Sequence, residues 1–432
     1  MRAWYNTYKM AAMRAGLTLV LVFFAAVVWA QRVADTMTGI FDEHVKSLQV
    51  NFADDFFASP IVVLGSNDRI VISFDYLGDE RQYLRYSLEH CNASWRPSGL
   101  TDSEFLDGFN EGLIEDFDYS QATVVPYVHY RLAIPNEQVN PVISGNYLLK
   151  IYKEDAPENV LLQCRFMVTE ATAPVSASVS TQTDIDYNKS HQQLSIAVDT
   201  ERALVEDPFN DLIVVVGQNG RLDNETAFRQ PLRMSGRTAI YEHQKPLIFE
   251  AGNEYRRFET VNEQYPGMRI DHIEFFEPYY HFVIAEDAPR DEETYLYDET
   301  QSGRYMIRRQ GADDSDVEAD YGVVHFTLDY PESPGTMIFL DGDFVQRRFD
   351  ENSRMQYNYS TGRYERAMLL KQGSYNYQYL IVPPGERRGF TGAIEGDKYQ
   401  TMNEYTVRVY HRRRGERYDR LIGTAVVRTD FK

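Results

Sequence analysis

The sequence predicts an all-β protein. Short runs rich in β-branched and aromatic residues recur along it, Gly, Pro, Asn and Asp clusters separate them, and few windows hold a helical period over ten residues. In chain order, 61–64, 69–74, 83–89, 127–134 and 146–152 read as strands. Tyr147, Leu149 and Ile151 alternate with Leu148, Lys150 and Tyr152, as in a sheet with one face in the core. Between them, 102–115 reads as a short helix or a long loop. A second set follows at 193–198, 212–217, 239–241, 255–260 and 280–285. Its run 212–216 is continuously apolar, which suits a central strand buried on both faces. The last set has hairpin logic, with Asp341-Gly342 and Ser360-Thr361-Gly362 as turns. Tyr375, Tyr377 and Tyr379 fall on one strand face, and a final strand lies near 424–428.

At 432 residues the chain exceeds the roughly 250–300 that one core can fill. The expected architecture is three consecutive antiparallel β-sandwiches, immunoglobulin-like in size, over 31–172, 173–310 and 311–432. The Pro/Ser/Thr/Ala-rich stretch 169–180 closes the first. The acidic stretch 286–320 reads as a solvated hairpin and linker, because such composition buries little apolar surface.

Residues 1–30 read as a signal peptide. Arg2, Lys9 and Arg14 precede an apolar run over 15–28, and a small-residue pattern places cleavage between Ala30 and Gln31. The run is short of the roughly 20 apolar residues a spanning helix needs. The expectation is an exported, soluble protein.

The formal net charge is −21, and loss of the leader removes three positive charges and no acidic ones. Such a chain is repelled by phosphate backbones and anionic lipid, which argues against nucleic-acid binding. The basic cluster 412–414 reads as a solvated hairpin turn. Two cysteines, Cys91 and Cys164, could form a disulfide in an oxidising compartment, worth about 4 kcal/mol in the chain-entropy model. Two separate buried thiols are the alternative.

Catalytic patterns are missing from the sequence: no GxSxG, HExxH, phosphate loop or GxGxxG after a strand occurs. The nine histidines show no metal-ligand spacing, so no metal and no cofactor is expected. Within the first unit, His90 and His129 are either a polar pair holding the loop after Trp95 or separately satisfied histidines. The connection 96–121 carries Leu100, Phe105, Leu106, Phe109, Ile114, Phe117 and Tyr119 among many carboxylates. A loop this apolar packs on its own sandwich or on a partner.

Three blocks stand out: EHCNASWRPS from Glu89, PYVHYRLAIPN from Pro126, and SGNYLLKIY from Ser144. In their order, and in His90, Trp95, Ser98, Leu100, His129, Tyr130, Gly145, Asn146 and Tyr147, the chain resembles the plug proteins of the type IX secretion system. The resemblance implies a non-enzymatic β-rich protein of the periplasm, at the inner face of the outer membrane. There it would close the periplasmic opening of the large outer-membrane translocon barrel, its partner, when cargo is absent. The 311–432 unit also resembles early-set immunoglobulin-like domains found beside sugar-processing enzymes. That leaves two alternatives, a periplasmic or surface carbohydrate-binding protein whose tyrosines stack on sugar, or a β-rich hydrolase with an unrecognised carboxylate site. The tyrosine ladder reads as cross-strand packing before sugar binding, because the sheet supplies an adequate reason for it.

Overall fold

The computed structural model describes residues 36–429, and the chain from Gly39 onward forms a unit of its own. The expected leader and its Ala30–Gln31 cleavage point lie outside the described residues. Among those described, no helix is long and apolar enough to cross a membrane.

The protein is all-β, and antiparallel pairing dominates. In the first sandwich one sheet runs Gly39–Ile40, Ala156–Thr169, Gly145–Lys153, Leu84–Cys91 and Gly112–Leu113, with Ile61–Val63 added in parallel to Ala156–Thr169. The facing sheet runs Val45–Phe52, Ile70–Leu77, Tyr127–Ile134 and Asp116–Tyr119. Val45, Ile72, Phe74, Tyr130, Leu149, Leu162 and Phe166 meet between them as a buried core. The loop 96–121 completes that core: Phe105, Leu106 and Ile114 are buried in it, while Phe109 stays exposed. A four-residue helix, Asp102–Phe105, opens the loop on a capping box between Thr101 and Glu104.

Leu148 departs from the one-face expectation. It is as buried as Tyr147 and Leu149, and it belongs to a different apolar cluster, with Cys91, Trp95, Met167, Val215, Tyr410 and Leu421. The outer face of this sheet is covered by strands from much later in the chain.

That later packing is not consecutive. Leu212–Gln218 lies between Thr226–Phe228 and Glu404–His411, and Arg420–Arg428 extends the same sheet. Facing it is a sheet of Val175–Ser180, His191–Asp199, Thr238–Tyr241 and Arg233–Ser235. Leu194, Ile196, Val214, Val216, Tyr405, Val407 and Ile422 form one core across them. The chain therefore leaves the second core after Phe249, well before the expected boundary at 310, builds a third core from Phe258 to Ile394, and returns at Tyr405 to finish the second. The reason lies in the apolar run of Leu212–Gln218, which needs a neighbour on each edge as well as a covered face.

The third core lies between a sheet of Arg256–Glu259, Gly373–Val382, Tyr305–Ile307 and Met337–Asp341 and one of Ile270–Phe276, Tyr279–Ile284, Tyr321–Leu328, Arg363–Lys371 and Gln356–Asn358. Ser360-Thr361-Gly362 makes the expected hairpin. Asp341-Gly342 does not: the strand runs through Asp341 and enters a 3-10 turn, Asp343–Val345. Tyr375, Tyr377 and Tyr379 are fully buried, with Tyr375 stacked on Phe258 at 5.0 Å and on Tyr305 at 5.2 Å. The ladder is core packing, and no sugar can reach it.

The acidic stretch 286–320 is no free linker. Asp287 is buried and accepts from Arg256 (2.8 Å), Tyr377 (2.7 Å) and Tyr379 (2.9 Å). Glu395 accepts from Arg256 and Arg290. Burial alone would raise the Glu395 carboxyl, but these two guanidinium groups hold it down at about 2.

The returning strands give a specific expectation. Ile422→Ala should lower stability by about 2–5 kcal/mol. Limited proteolysis of that variant should give its first new cuts between residues 173 and 250, where the shared core loosens. First cuts confined to 311–400 would show that 404–428 does not complete the second sandwich.

Candidate functional site

The motif residues of the first sandwich converge on two polar junctions with the rest of the chain. The first is built on the antiparallel pair Leu84–Cys91 and Gly145–Lys153, which sets His90 opposite Tyr147 and Cys91 opposite Asn146. The chain then leaves in a tight loop. Asn92 caps it, its side-chain oxygen accepting from the Ser94 and Arg96 amides at 3.0 Å each. Trp95 sits at φ 61°, a left-handed conformation that costs a bulky residue roughly 1–2 kcal/mol. Burial of its ring beneath the Arg165 guanidinium, 4.2 Å away, offsets that cost.

His90 closes the loop. One ring nitrogen lies 2.9 Å from the Ser98 hydroxyl and the other 3.2 Å from the Ser144 carbonyl. A carbonyl can only accept, so Nε2 carries the proton and Nδ1 accepts from Ser98. The ring stands edge-on to Tyr147 and to Tyr418, and burial lowers its pKa to about 4, so it is neutral at pH 7. Gly145 is required here. Its φ is 140°, and a Cβ would lie 2.4 Å from His90 Nε2. Tyr147 is buried and donates to the Ile143 carbonyl at 2.7 Å. Leu100 packs against the sandwich core.

From this loop the contacts pass to the hairpin of Glu404–His411 and Arg420–Arg428. Asn146 donates to the Asn92 carbonyl (2.8 Å) and accepts from the Tyr410 hydroxyl (2.7 Å). The Ala93 amide donates to Asp419 at 2.8 Å. Arg420 grips Glu170 with two nitrogens, and Arg417 reaches Glu104 at 2.6 Å and the Gly99 carbonyl at 2.8 Å. These contacts come from Arg417, Asp419 and Arg420, just beyond the basic cluster 412–414.

The second junction is built on Tyr127–Ile134. His129 Nδ1 lies 2.6 Å from Asp75, and its Nε2 lies 3.6 Å from Asp316. The other oxygen of Asp75 accepts from Lys371 and from the Tyr321 hydroxyl, both at 2.6 Å. Asp75, Lys371 and Tyr321 are almost wholly out of water. Burial would raise the Asp75 carboxyl, but Lys371 and His129 hold it below the usual carboxylate range. Lys371 also donates to the Asp316 carbonyl at 2.6 Å and sits 4.0 Å over the Tyr127 ring. Asp320 accepts from the Val124 and Val125 amides, and Tyr127 donates to the Ala319 carbonyl at 2.8 Å. Tyr130 bonds both backbone groups of Gln82, and burial raises its hydroxyl to about 12.

His90 and His129 therefore do not form a pair. They lie in different sheets, each with its own partners. Cys91 and Cys164 are free and buried, so of the two alternatives the structure has the separate thiols. The register explains it. Cys91 stands opposite Asn146 and Cys164 opposite Leu149, and residues three apart on one strand point to opposite faces. Burial pushes both thiols up to about 12, which makes them inert.

Sequence reasoning missed Asp75, Tyr321, Lys371, Tyr410 and Asp419. Asp75 and Lys371 are 296 residues apart, and Ala93 and Asp419 are 326 apart. The one available signal was Lys371 itself, a cation directly after the apolar run 367–370. Among the described residues no group of three or more His, Cys, Asp or Glu could hold a metal ion.

These features define a class, a multi-sandwich scaffold whose most particular residues are used in fastening one sandwich to the others. Residues 45–170 match the family model described as the type 9 secretion system plug protein 1st domain. A hypothetical protein from Parabacteroides merdae, known from its crystal structure, is 43% identical with a TM-score of 0.90, over 91% of this chain and 99% of that one. A fragment of Escherichia coli alpha-2-macroglobulin covers 46% of this chain and 97% of its own, but at 10% identity and a TM-score of 0.15. None of the curated proteins matches. The chain belongs to the type IX secretion system plug protein family, which is not an enzyme family, and membership ties it to type IX secretion in the cell envelope.

Two expectations follow from the junctions. The unfolded chain protonates His90 near pH 6.5 and the folded chain only near 4, so stability falls as pH drops through that window, by about 3 kcal/mol in all. Denaturant titrations between pH 7 and 4 should show this slope, and His90→Gln should flatten it. Separately, Asp75→Asn strands the buried Lys371 charge and should cost about 3–5 kcal/mol, much of which the double variant Asp75→Asn with Lys371→Met restores. Additive losses in the two single variants would argue against the coupling.

Proposed function

We propose that this protein acts without catalysis, closing the periplasmic opening of the type IX outer-membrane translocon barrel when no cargo occupies it. The match of residues 45–170 to the plug family's first domain carries the reading. The geometry supports it. A stopper must be bulky and must hold its form against a wide opening, and the two junctions fasten the first sandwich to the later chain through buried ion pairs and hydrogen bonds. The carboxylates of the third core favour no hydrolytic reading: Asp287 and Glu395 are enclosed and neutralised by arginines. Nor does the buried tyrosine ladder favour sugar binding.

On this reading the mature protein is periplasmic, at the inner face of the outer membrane, and its partner is the barrel. Its functional part begins with the sandwich over 31–172, followed by the two sandwiches that share 173–432. A stopper must also leave, so its interface is polar and moderate in area rather than an obligate apolar seal. The mature chain's net charge, −24 once the leader's three positive charges are taken from −21, steers it toward basic loops at the rim.

Co-purification tests the reading. The native protein should come out of solubilised outer membranes with a large barrel, and a strain lacking it should admit large hydrophilic solutes that the intact membrane excludes. Association with the purified barrel should slow as salt rises and the Debye length shrinks from about 10 Å at 0.1 M to about 3 Å at 1 M. No co-purification together with unchanged permeability would reject plugging, and a salt-independent association rate would reject steering.

A further inference from the structure

One surface feature at the margin of the third core is used by neither junction. The hairpin of Ile270–Phe276 and Tyr279–Ile284 forms one edge of its sheet, and among the described residues Ile270–Phe276 pairs with no strand on its outer side. Successive residues of a strand point to opposite faces. At the tip, Phe275 and Phe276 are nevertheless both more than half exposed, at 53% and 57%. Both rings therefore lie open to solvent, while their cross-strand partners Tyr280 and Tyr279 pack toward the body. Phe275 leans on Tyr280 (4.9 Å between centroids) and Phe276 on His281 (5.2 Å), which sets the two rings against their own hairpin. Below the tip, Tyr279 packs toward the seam of Val125, Tyr127 and Tyr321. The tip therefore borders the second junction.

Open edges carry a row of unpaired amides and carbonyls, and soluble proteins blunt them with charge. Asp271, Glu274 and Glu277 supply such charge here, all of one sign and all exposed. They repel a second copy of this acidic edge and an anionic lipid surface alike. They suit an extended segment that pairs with the open backbone, covers the two phenylalanines with apolar side chains and offers Lys or Arg to the three carboxylates.

We infer that Ile270–Phe276 is the edge on which a basic, extended segment of the partner protein docks by strand addition, with Phe275 and Phe276 as its apolar anchors. The inference rests on the plug reading and adds to it the surface that meets the barrel. Strand addition makes no covalent bond and can be reversed, as a removable stopper requires.

The test uses the full chain with a photo-crosslinking phenylalanine analogue in place of Phe276. A control carries the analogue at Tyr187, an exposed residue of another sandwich. Co-purification from solubilised outer membranes is compared with that of Phe275→Ser/Phe276→Ser and Glu274→Lys/Glu277→Lys. The expected result is a crosslink to the barrel from position 276 and none from 187, with retention down by about tenfold or more in both double variants. If the unsubstituted chain co-purifies while position 276 gives no barrel crosslink and the variants are retained normally, the docking edge is wrong and plugging stands. Crosslinks only to a second copy or to lipid likewise overturn the edge assignment. If the unsubstituted chain does not co-purify at all, the plug reading falls and this inference falls with it.

Discussion

Asp75 keeps its carboxylate entirely out of water, and the placement of the first sandwich depends on how that charge is answered. A buried carboxylate without partners is too costly to persist. Its answers come from His129 within the same sheet and from Tyr321 and Lys371 in a different core. Lys371 ends the strand Arg363–Lys371, and Tyr321 opens its neighbour Tyr321–Leu328, so two strands are held at their ends against Ile70–Leu77. Apolar contact alone would tolerate sliding between sandwiches. A directional, water-free ion network does not.

The first junction works by a different chemistry toward the same end. His90 is neutral, and it organises a loop through one donated and one accepted hydrogen bond. The charge lies further out, in Arg420 with Glu170 and Arg417 with Glu104, where solvent weakens each pair. Apolar burial of Trp95, Leu148 and Leu421 sits between the two layers. Motif residues that resemble a recognition loop in sequence thus recognise another part of the same chain. At these positions the residues that carry the resemblance serve internal assembly.

Strand positions were legible in the sequence because side-chain chemistry fixes them locally. The run 127–134 coincides with its strand, and most other boundaries shift by one to three residues. The tyrosine ladder was legible as packing for the same reason. Long-range order was not. The apolar run of Leu212–Gln218 announces a central strand but cannot name Glu404–His411 as its neighbour, since many strands have compatible edges. The acidic composition of 286–320 suggested solvation, yet Asp287 is buried because Arg256 and two tyrosines meet it there. Composition reports how many charges a segment carries and not where their partners lie. The cysteine pair stayed open between two alternatives, because register is a quantity that two isolated positions do not encode. At the candidate site, the first sandwich's half of each junction was readable as motif, and the other half lay hundreds of residues away.

The return of the chain to its middle sandwich sets a timetable for assembly. Strand Leu212–Gln218 is made well before Glu404–His411, the neighbour that shields one of its edges. Until then Val214 and Val216 lack part of their core. Contacts of such wide sequence separation form slowly, because a long loop must close before any gain is realised. Completion of this core is therefore tied to the synthesis of 404–428, and a chain that stops before them is left with an open apolar seam.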